Sequence, residues 1–485
     1  MKLCFICDIH LPECKKALQY DAFEWALSDA IEKKADCIIF AGDITSFGNY
    51  GIYKSFVERM NNFRIPVLYI PGNSDLRDKS SYDLIKNLSS PAENKIGNIK
   101  IIALNDCDND IKECDLSLLD RAEDGCILFL HHPINELKEG AREKLRLFIE
   151  KNKNSLIFHG HKHRSYSDKN VISLQALDPD KAIGEPPCIT YYNTDTRVTE
   201  KAYYKAPLPL DFYEQIGVSC YRPIQNIKFA ISRRLKNIEL RNNILKEDAS
   251  QLKELISEWR ESGGKNLCVH LSDVGFENGI PTSRPDYIDL ISLAKELSAN
   301  RVTQHVPRVS VNTVKENPKA LESIAAFVAN AYKSVGADFT VGIENMHMTS
   351  DDNVETDRRF GYLPDECLLF MELVASEYNH KVGINFDIGH ARNNPPFYNI
   401  YPISSWLSII GKNTVGYHFH QVTRLENKLE NHMPITELHS GIINYTSFFK
   451  NWSLGNINKA PVILEMRPED AYGISLETLK NNINK

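Results

Sequence analysis

Short apolar runs recur from one end of this chain to the other, and amphipathic segments of helical period separate most of them. That alternation restricts the fold to the α/β class, because strands joined through helices pair in parallel and are covered on both faces. In the front part the runs are KLCFICDIH, ADCIIFAGD, PVLYIPGN, KIIALND, CILFLHH and SLIFHGHKH, with helices expected through Phe23–Ile31 and Tyr53–Met60. VISLQAL and CITYYNTD extend the β content. The prolines of APLPL break the pattern, which places a domain over 1–205 and a linker over 206–212.

A different rhythm fills 213–485. QIGVSCY, NIELR, NLCVHLS, RVTQHVP, FTVGIENM, KVGINFDIGH, TVGYHFHQV and PVILEMR read as strands, with helical segments such as PDYIDLISLAKELSA between most of them. Eight such strands in this length predict a (β/α)8 barrel, whose working residues stand at the C-terminal strand ends.

Composition narrows the class. At 485 residues the chain exceeds one ordinary core, and 42% hydrophobic with 25% charged residues is the balance of a soluble protein. No apolar run approaches the roughly 20 residues that span a bilayer. MKLCFICDIH, interrupted by Asp8 and His10, reads as a buried strand and not as a targeting segment. A net charge of −7 argues against a duplex-coating protein and leaves small phosphorylated substrates open. Eleven cysteines without framework spacing point to a reduced, cytoplasmic setting. Cys4 and Cys7 are expected on opposite strand faces as buried thiols. SRRLKNIELRNN is either a phosphate-binding patch or, in the blander reading, an exposed helix end running into a strand.

Five clusters each follow a front-half strand: Asp8-Ile9-His10, Gly42-Asp43, Gly72-Asn73-Ser74-Asp75, His131-His132-Pro133 and Gly160-His161-Lys162-His163. Strand ends in such a layer converge on one crevice. Carboxylate, amide and imidazole donors gathered there suit divalent metals.

This order of clusters resembles the calcineurin-like metallophosphoesterases, which implies an αββα sandwich. The resemblance implies that Asp8, His10 and His163 hold one ion, that Asn73, His131 and His161 hold the other, and that Asp43 bridges them. His132 remains an alternative to the preferred His131. Two ions (manganese, iron or zinc) would activate water for attack on phosphorus, with Asp43, Asn73 and His131 as the core of the catalytic set. Where the family has a histidine after the GN, this chain has Ser74, which is a poor acid.

In the second half, polar residues at strand ends are His270, His305, Glu344, Asp387, His390, His418, His420 and Glu465, with Glu430 and His432 between the last two strands. So many buried ionisable groups call for cations. This half resembles the xylose-isomerase-like TIM barrels, the superfamily of sugar epimerases and endonuclease IV. Glu344, Asp387, His418 and Glu465 match the one-metal set of the epimerases. His270, His305, His390 and His432 match the further ligands of endonuclease IV, with Glu430 where that family has aspartate. The resemblance implies one to three zinc or manganese ions, with Glu344 and Glu465 at the chemistry. His270, His305 and His432 favour the multi-zinc reading.

The expected function is a bifunctional phosphoesterase acting on phosphodiesters or phosphomonoesters. Its partner would be a phosphorylated small molecule, a nucleotide or a nucleic-acid end. The alternative pairs a phosphatase with a sugar-phosphate isomerase or epimerase, and a third reading makes one site degenerate, with Ser74 as its support. The loop His347–Leu363, carrying Arg358, Arg359 and Tyr362, is a candidate substrate reader, and a solvated loop is the blander reading.

Overall fold

The computed structural model describes residues 1–349, 352–354, 356–425, 428–439, 441–468 and 470–483. The chain divides into two compact units, Met1–Ala206 with Asn444–Ser447, and Pro207–Ile443 with Phe448–Lys485.

The front unit has strands β1 (Lys2–Ile6), β2 (Cys37–Ala41), β3 (Val67–Ile70), β4 (Glu93–Ile96), β5 (Ile99–Ala103), β6 (Ile127–Leu130), β7 (Leu156–His159), β8 (Tyr166–Asp168), β9 (Val171–Ser173), β10 (Cys188–Asn193) and β11 (Val198–Tyr203). They form two sheets, in the orders β11-β10-β1-β2-β3 and β4-β5-β6-β7-β9-β8. Period-two alternation sorts side chains between layers. Leu3, Phe5, Cys7, Cys37 and Ile39 meet Ile101, Phe129 and Phe158 of the other sheet, while Cys4, Ile6, Ile38 and Phe40 pack under the helices Leu18–Glu32 and Tyr50–Asn61. Ile102, Leu128 and Ile157 face Leu145 and Phe148 of the helix Glu139–Lys151 on the far side. The result is the expected αββα sandwich. Each fully buried Leu, Ile or Phe contributes about 1.5–3 kcal/mol to holding it. Cys4 and Cys7 fall in different layers, and every cysteine is a free thiol.

The second unit contains β12 (Ile216–Cys220), β13 (Asn237–Leu240), β14 (Asn266–His270), β15 (Val274–Glu277), β16 (Ile280–Ser283), β17 (Arg301–His305), β18 (Thr340–Glu344), β19 (Val382–Asp387), β20 (Thr414–Phe419), β21 (Gln421–Leu425), β22 (Lys428–Met433) and β23 (Val462–Leu464). Eight of them, β12-β13-β14-β17-β18-β19-β20-β23, close a parallel barrel, with β12 paired to β23. All eight lie within the runs read as strands. The hairpins β15–β16 and β21–β22 were not foreseen: each is a short insertion in a loop beyond a barrel strand, and for the first a turn signal was present, since Asn278-Gly279, both with positive φ, join Glu277 to Ile280. Part of the expected linker is ordered, since Leu210–Tyr213 is a helical turn and Phe212 is buried against Phe419, Phe449 and Trp452. The charged stretch after the helix Pro223–Ser232 runs into β13, matching the helix-end reading. Among the described residues no helix is long and apolar enough to cross a membrane.

Two candidate metal centres

The front strand ends turn sharply. Asp8, His10, Asp43, His161 and His163 all have left-handed backbones, with φ of 51°, 51°, 54°, 68° and 54°. Non-glycine residues there cost of order 1–3 kcal/mol each when held in sparsely populated conformations, and such residues concentrate at functional sites. Gly72 permits the convergence: a Cβ there would come within 2.3 Å of Asp43 Oδ1.

Around this crevice Asp43 divides its two oxygens. Oδ1 lies 3.3 Å from His131 Nε2 and accepts from the Ser74 N–H at 2.8 Å, while Oδ2 faces His10 Nε2 at 3.8 Å. On the Oδ2 side, Asp8, His10, Asp43 and His163 bring one ligand atom each within 4.8 Å of one another. On the other side, Asn73 Oδ1 sits 3.0 Å from His131 Nε2 and 2.8 Å from His161 Nδ1.

The tautomers follow from the surroundings. His131 Nδ1–H donates to the Ala41 carbonyl at 3.0 Å, which leaves the Nε2 lone pair facing the crevice. His161 Nε2 is 3.1 Å from Glu136, which leaves Nδ1 facing Asn73. Ser74 Oγ donates to the Thr45 carbonyl at 2.6 Å and lies 3.3 Å from His10 Nδ1. Its hydroxyl is therefore spent on orienting His10 and does not face a substrate.

Three supporting carboxylates carried no assigned role in the sequence. Asp75 accepts from the N–H groups of Ile44, Thr45 and Gly72, tying the second and third clusters together. Asp106, which ends KIIALND, accepts from the N–H groups of His131 and His132 at 2.7 Å each and lies 3.2 Å from His132 Nδ1. Glu136 is the third. His132 shares a close group with His131 and His161, and Asp106 on its Nδ1 leaves its Nε2 free in the same way, but it is His131 Nε2 that lies 3.0 Å from Asn73 Oδ1 and 3.3 Å from Asp43 Oδ1. Because only His131 touches both of these groups, His131→Gln is expected to empty the ion position beside Asn73, whereas His132→Gln retains the ion with affinity weakened about 10–100-fold, the usual effect of losing a supporting group. Elemental analysis of the two purified variants checks this.

The electrostatics of the crevice fit a site for cations. Burial, with Asp43 adding to it, pushes the Asp8 carboxyl up to about 7. Burial alone would also raise Asp43, but His131 outweighs it and holds Asp43 well below the usual carboxylate range. Burial alone would lower His131, but Asp43 pulls it up to about 10.

In the barrel, Glu344 plays the divided part. Its Oε2 is 3.2 Å from His270 Nε2 and 3.6 Å from His305 Nε2, and its Oε1 is 3.0 Å from His418 Nδ1. Two ligand groups share it, His270/His305/Glu344 and Glu344/Asp387/His418/Glu465. His305 and Glu344 are register partners on β17 and β18, and Asp387 and His418 on β19 and β20, so strand pairing sets the spacing. His418 lies 2.7 Å from Glu465 Oε2, an atom that is buried without a hydrogen-bond donor. Glu239, Glu344, Asp387 and Glu465 are all fully buried or nearly so. That excess of buried negative charge, with an orphaned oxygen aimed at the shared point, fits a divalent ion.

The third expected group does not assemble. His390 and His432 are buried with ring centroids 5.6 Å apart, but Glu430 is exposed on β22. Among the described residues no third set of ligand atoms gathers around these three. His420 supports its neighbour, with Nε2 at 3.1 Å from Asp387 Oδ1 and Nδ1 accepting from the His432 N–H.

Glu239 was missed because it sits inside NIELR and not after it. Its Oε1 lies 2.9 Å from His418 Nε2, and its Oε2 accepts from Thr303 Oγ1 at 2.8 Å. Holding that Nε2–H leaves Nδ1 to face Glu344 and Glu465. Glu239→Gln is expected to weaken metal binding by about tenfold or more through loss of this support, read by competition with a coloured chelator on protein of unchanged circular dichroism. Arg241, also missed, pairs with Glu465 at 3.0 Å, and Tyr221 donates to the same carboxylate at 2.7 Å.

Arg358 is spoken for, with Glu366 at 2.6 Å and the Phe397 ring at 4.9 Å from its guanidinium carbon, and Arg359 lies 3.6 Å from Asp352. That loop also contains residues 350, 351 and 355, which lie outside the described residues. The opposite, N-terminal end of the barrel has a cavity of about 520 Å³, lined by Asn266, Arg301, Thr340 and Lys381 among others but by no carboxylate or imidazole.

Fold and ligand groups together define an αββα sandwich and a (β/α)8 barrel, each carrying a candidate metal centre. The chain belongs to the xylose isomerase-like TIM barrel family, whose model matches residues 234–482, and residues 1–165 match the calcineurin-like phosphoesterase model. A probable cyclic nucleotide phosphodiesterase of Pseudoalteromonas sp. (strain SM9913) is 25% identical over 193 residues, 35% of this chain and 74% of that protein. Among solved structures, a putative xylose isomerase of Rhodospirillum rubrum is 12% identical, covering 55% of this chain and 97% of its own, with a TM-score of 0.42. A dimetal phosphatase of Danio rerio is 12% identical, covering 39% and 92%, with a TM-score of 0.31.

Proposed function

We propose that the chain is a bifunctional metal-dependent phosphoesterase. The observation that carries this reading is the pair of divided carboxylates, Asp43 and Glu344, each with imidazole nitrogens on both sides. In the front centre, Asp8, His10, Asp43 and His163 hold one divalent ion, and Asp43, Asn73, His131 and His161 the other. When bound, such a pair neutralises phosphoryl charge and lowers the pKa of water. The chain's own part is to fix the geometry: Asp75 and Asp106 lock the loops, and Ser74, Ala41 and Glu136 set the imidazole tautomers.

Phosphodiesters of the nucleotide class are the expected front substrates, in keeping with the relative's description as a cyclic nucleotide phosphodiesterase. Ser74 turns away from the crevice, so no side chain at that position donates a proton to the leaving group. Turnover is therefore expected to fall steeply as the leaving group becomes more basic. A series of aryl phosphodiesters with rising phenol pKa checks this, and a flat series contradicts it.

For the barrel, the His270/His305/Glu344 group beside Glu344/Asp387/His418/Glu465 supports a two-ion hydrolase of the endonuclease IV type. A nucleic-acid end is its proposed substrate. The second reading, a sugar-phosphate isomerase or epimerase, needs only the four-residue group. In it Glu344 and Glu465 move a proton at carbon. Assaying zinc- and manganese-loaded full chain on cyclic nucleotides, abasic DNA and sugar phosphates separates these readings. No turnover of any phosphodiester by fully loaded protein would sink the proposal.

A further inference from the structure

Beyond β14 the chain runs Leu271-Ser272-Asp273 into the β15–β16 hairpin and returns at Arg284, whose N–H donates to the Asp273 carbonyl. Beyond β17 it runs to Arg308, whose N–H donates to the Val274 carbonyl at 2.8 Å. These backbone bonds bring both arginines to the strand ends that carry His270 and His305. Arg241, beyond β13, completes the third side. The three guanidinium groups, with Asn242 and Ser272, line a cavity of about 250 Å³ that His270 and His305 also border.

Not all of that charge is free. Arg308 pairs with Asp273 at 2.6 Å, and Arg241 lies against Glu239 and Glu465. Arg284 is exposed, and no ion pair to it is present among the described residues. Ser272 is only 6% exposed, and its hydroxyl has no hydrogen-bond partner. A buried hydroxyl left unpaired is costly unless a ligand satisfies it. Guanidinium forks match the geometry of phosphate oxygens. The volume is below the roughly 300–1,000 Å³ of pockets that enclose a drug-sized ligand, so it suits one end of a larger molecule.

We propose that this cavity seats a phosphate group of the barrel's substrate beside the His270/His305/Glu344 group, with Arg284 and Ser272 Oγ as its dedicated donors. This rests on the reading of the barrel as a metal-dependent enzyme of phosphorylated substrates. The group could belong to a diester or to the terminal phosphate of a sugar phosphate.

The test is calorimetric titration of metal-loaded full chain with inorganic phosphate, in an Asp43→Asn background that removes the front centre's own affinity. Arg284→Gln is expected to weaken phosphate about tenfold or more and Ser272→Ala several-fold, as loss of charge-assisted and neutral hydrogen bonds implies. Metal content should stay at the parent value in both. Repeating the comparison with a dinucleotide diester and a sugar monophosphate assigns the source, as the one whose affinity Arg284→Gln lowers. No phosphate binding by the parent, or equal affinity in parent and both variants, overturns the proposal. If no phosphorylated substrate is turned over while Arg284→Gln still weakens phosphate, the enzymatic reading fails and the pocket stands. If Glu344→Gln abolishes barrel turnover while Arg284→Gln leaves phosphate affinity unchanged, the pocket alone fails.

Discussion

Asp43→Asn is expected to cut phosphodiester turnover by the full chain about 10³-fold or more, because the clamp it supports is worth several kcal/mol at the transition state and each 1.36 kcal/mol is tenfold in rate. The same assay on Glu344→Gln should give the parent rate for any substrate handled by the front centre alone. The asymmetry follows from where the carboxylates sit. Asp43 offers Oδ1 beside His131 and Oδ2 beside His10, so one substitution removes charge from both ion positions at once. An amide also presents a donor where a cation belongs. Burial makes this severe: Asp43 is 2% exposed, and no solvent screens the imidazoles it leaves behind. Metal content must be measured alongside rate. Parent-level turnover by an Asp43→Asn protein retaining both front ions would show that Asp43 is not part of the working centre.

Much of this layout was legible in the residues because it rests on two periodicities and on punctuation. Alternation in KLCFICDIH separates Cys4 from Cys7 by layer, and polar residues closing apolar runs mark where His270, His305, Glu344 and Asp387 converge. What stayed hidden was of two kinds. Supporting groups such as Asp106, Glu136 and Glu239 act through a neighbour's imidazole, and nothing in their spacing tells which histidine they face. Loop geometry was hidden as well. Glu430 and His432 are two apart on β22, so strand alternation favours a shared face, yet His432 has a left-handed backbone with φ of 62° and is buried while Glu430 is exposed. The hairpin that carries Arg284 to the barrel mouth had a local signal in its Asn278-Gly279 turn, but nothing in that turn or in the run SRRLKNIELRNN tells that Arg241 and Asn242 meet Arg284 across the strand ends.

Glu344→Gln is expected to leave both barrel ligand groups unfilled, the largest single loss of bound metal from any one substitution in that unit. The carboxylate Oε2 serves His270 and His305, and Oε1 serves His418. Glutamine keeps one oxygen, and its NH₂ faces whichever group it is turned toward. Protons amplify the effect. Burial alone would lower the His418 pKa, but Glu239, Glu344 and Glu465 surround the ring and raise it well above its ordinary value. An ion at Nδ1 therefore competes with a proton that these carboxylates favour. Lowering the pH should weaken metal binding to the barrel, raising it should strengthen binding, and proton release should appear as a dependence of the calorimetric heat on buffer ionisation. Bound metal stabilises only the folded form, by about 2.7 kcal/mol when the free ion is a hundred times its Kd. The parent's unfolding temperature should accordingly rise with added zinc or manganese, and the part of that rise owed to the barrel should vanish in Glu344→Gln, while Asp43→Asn keeps it. Equal barrel metal content in Glu344→Gln and parent would mean that the two groups do not share this carboxylate, and the multi-ion reading of the barrel would give way to one built on Asp387, His418 and Glu465 alone.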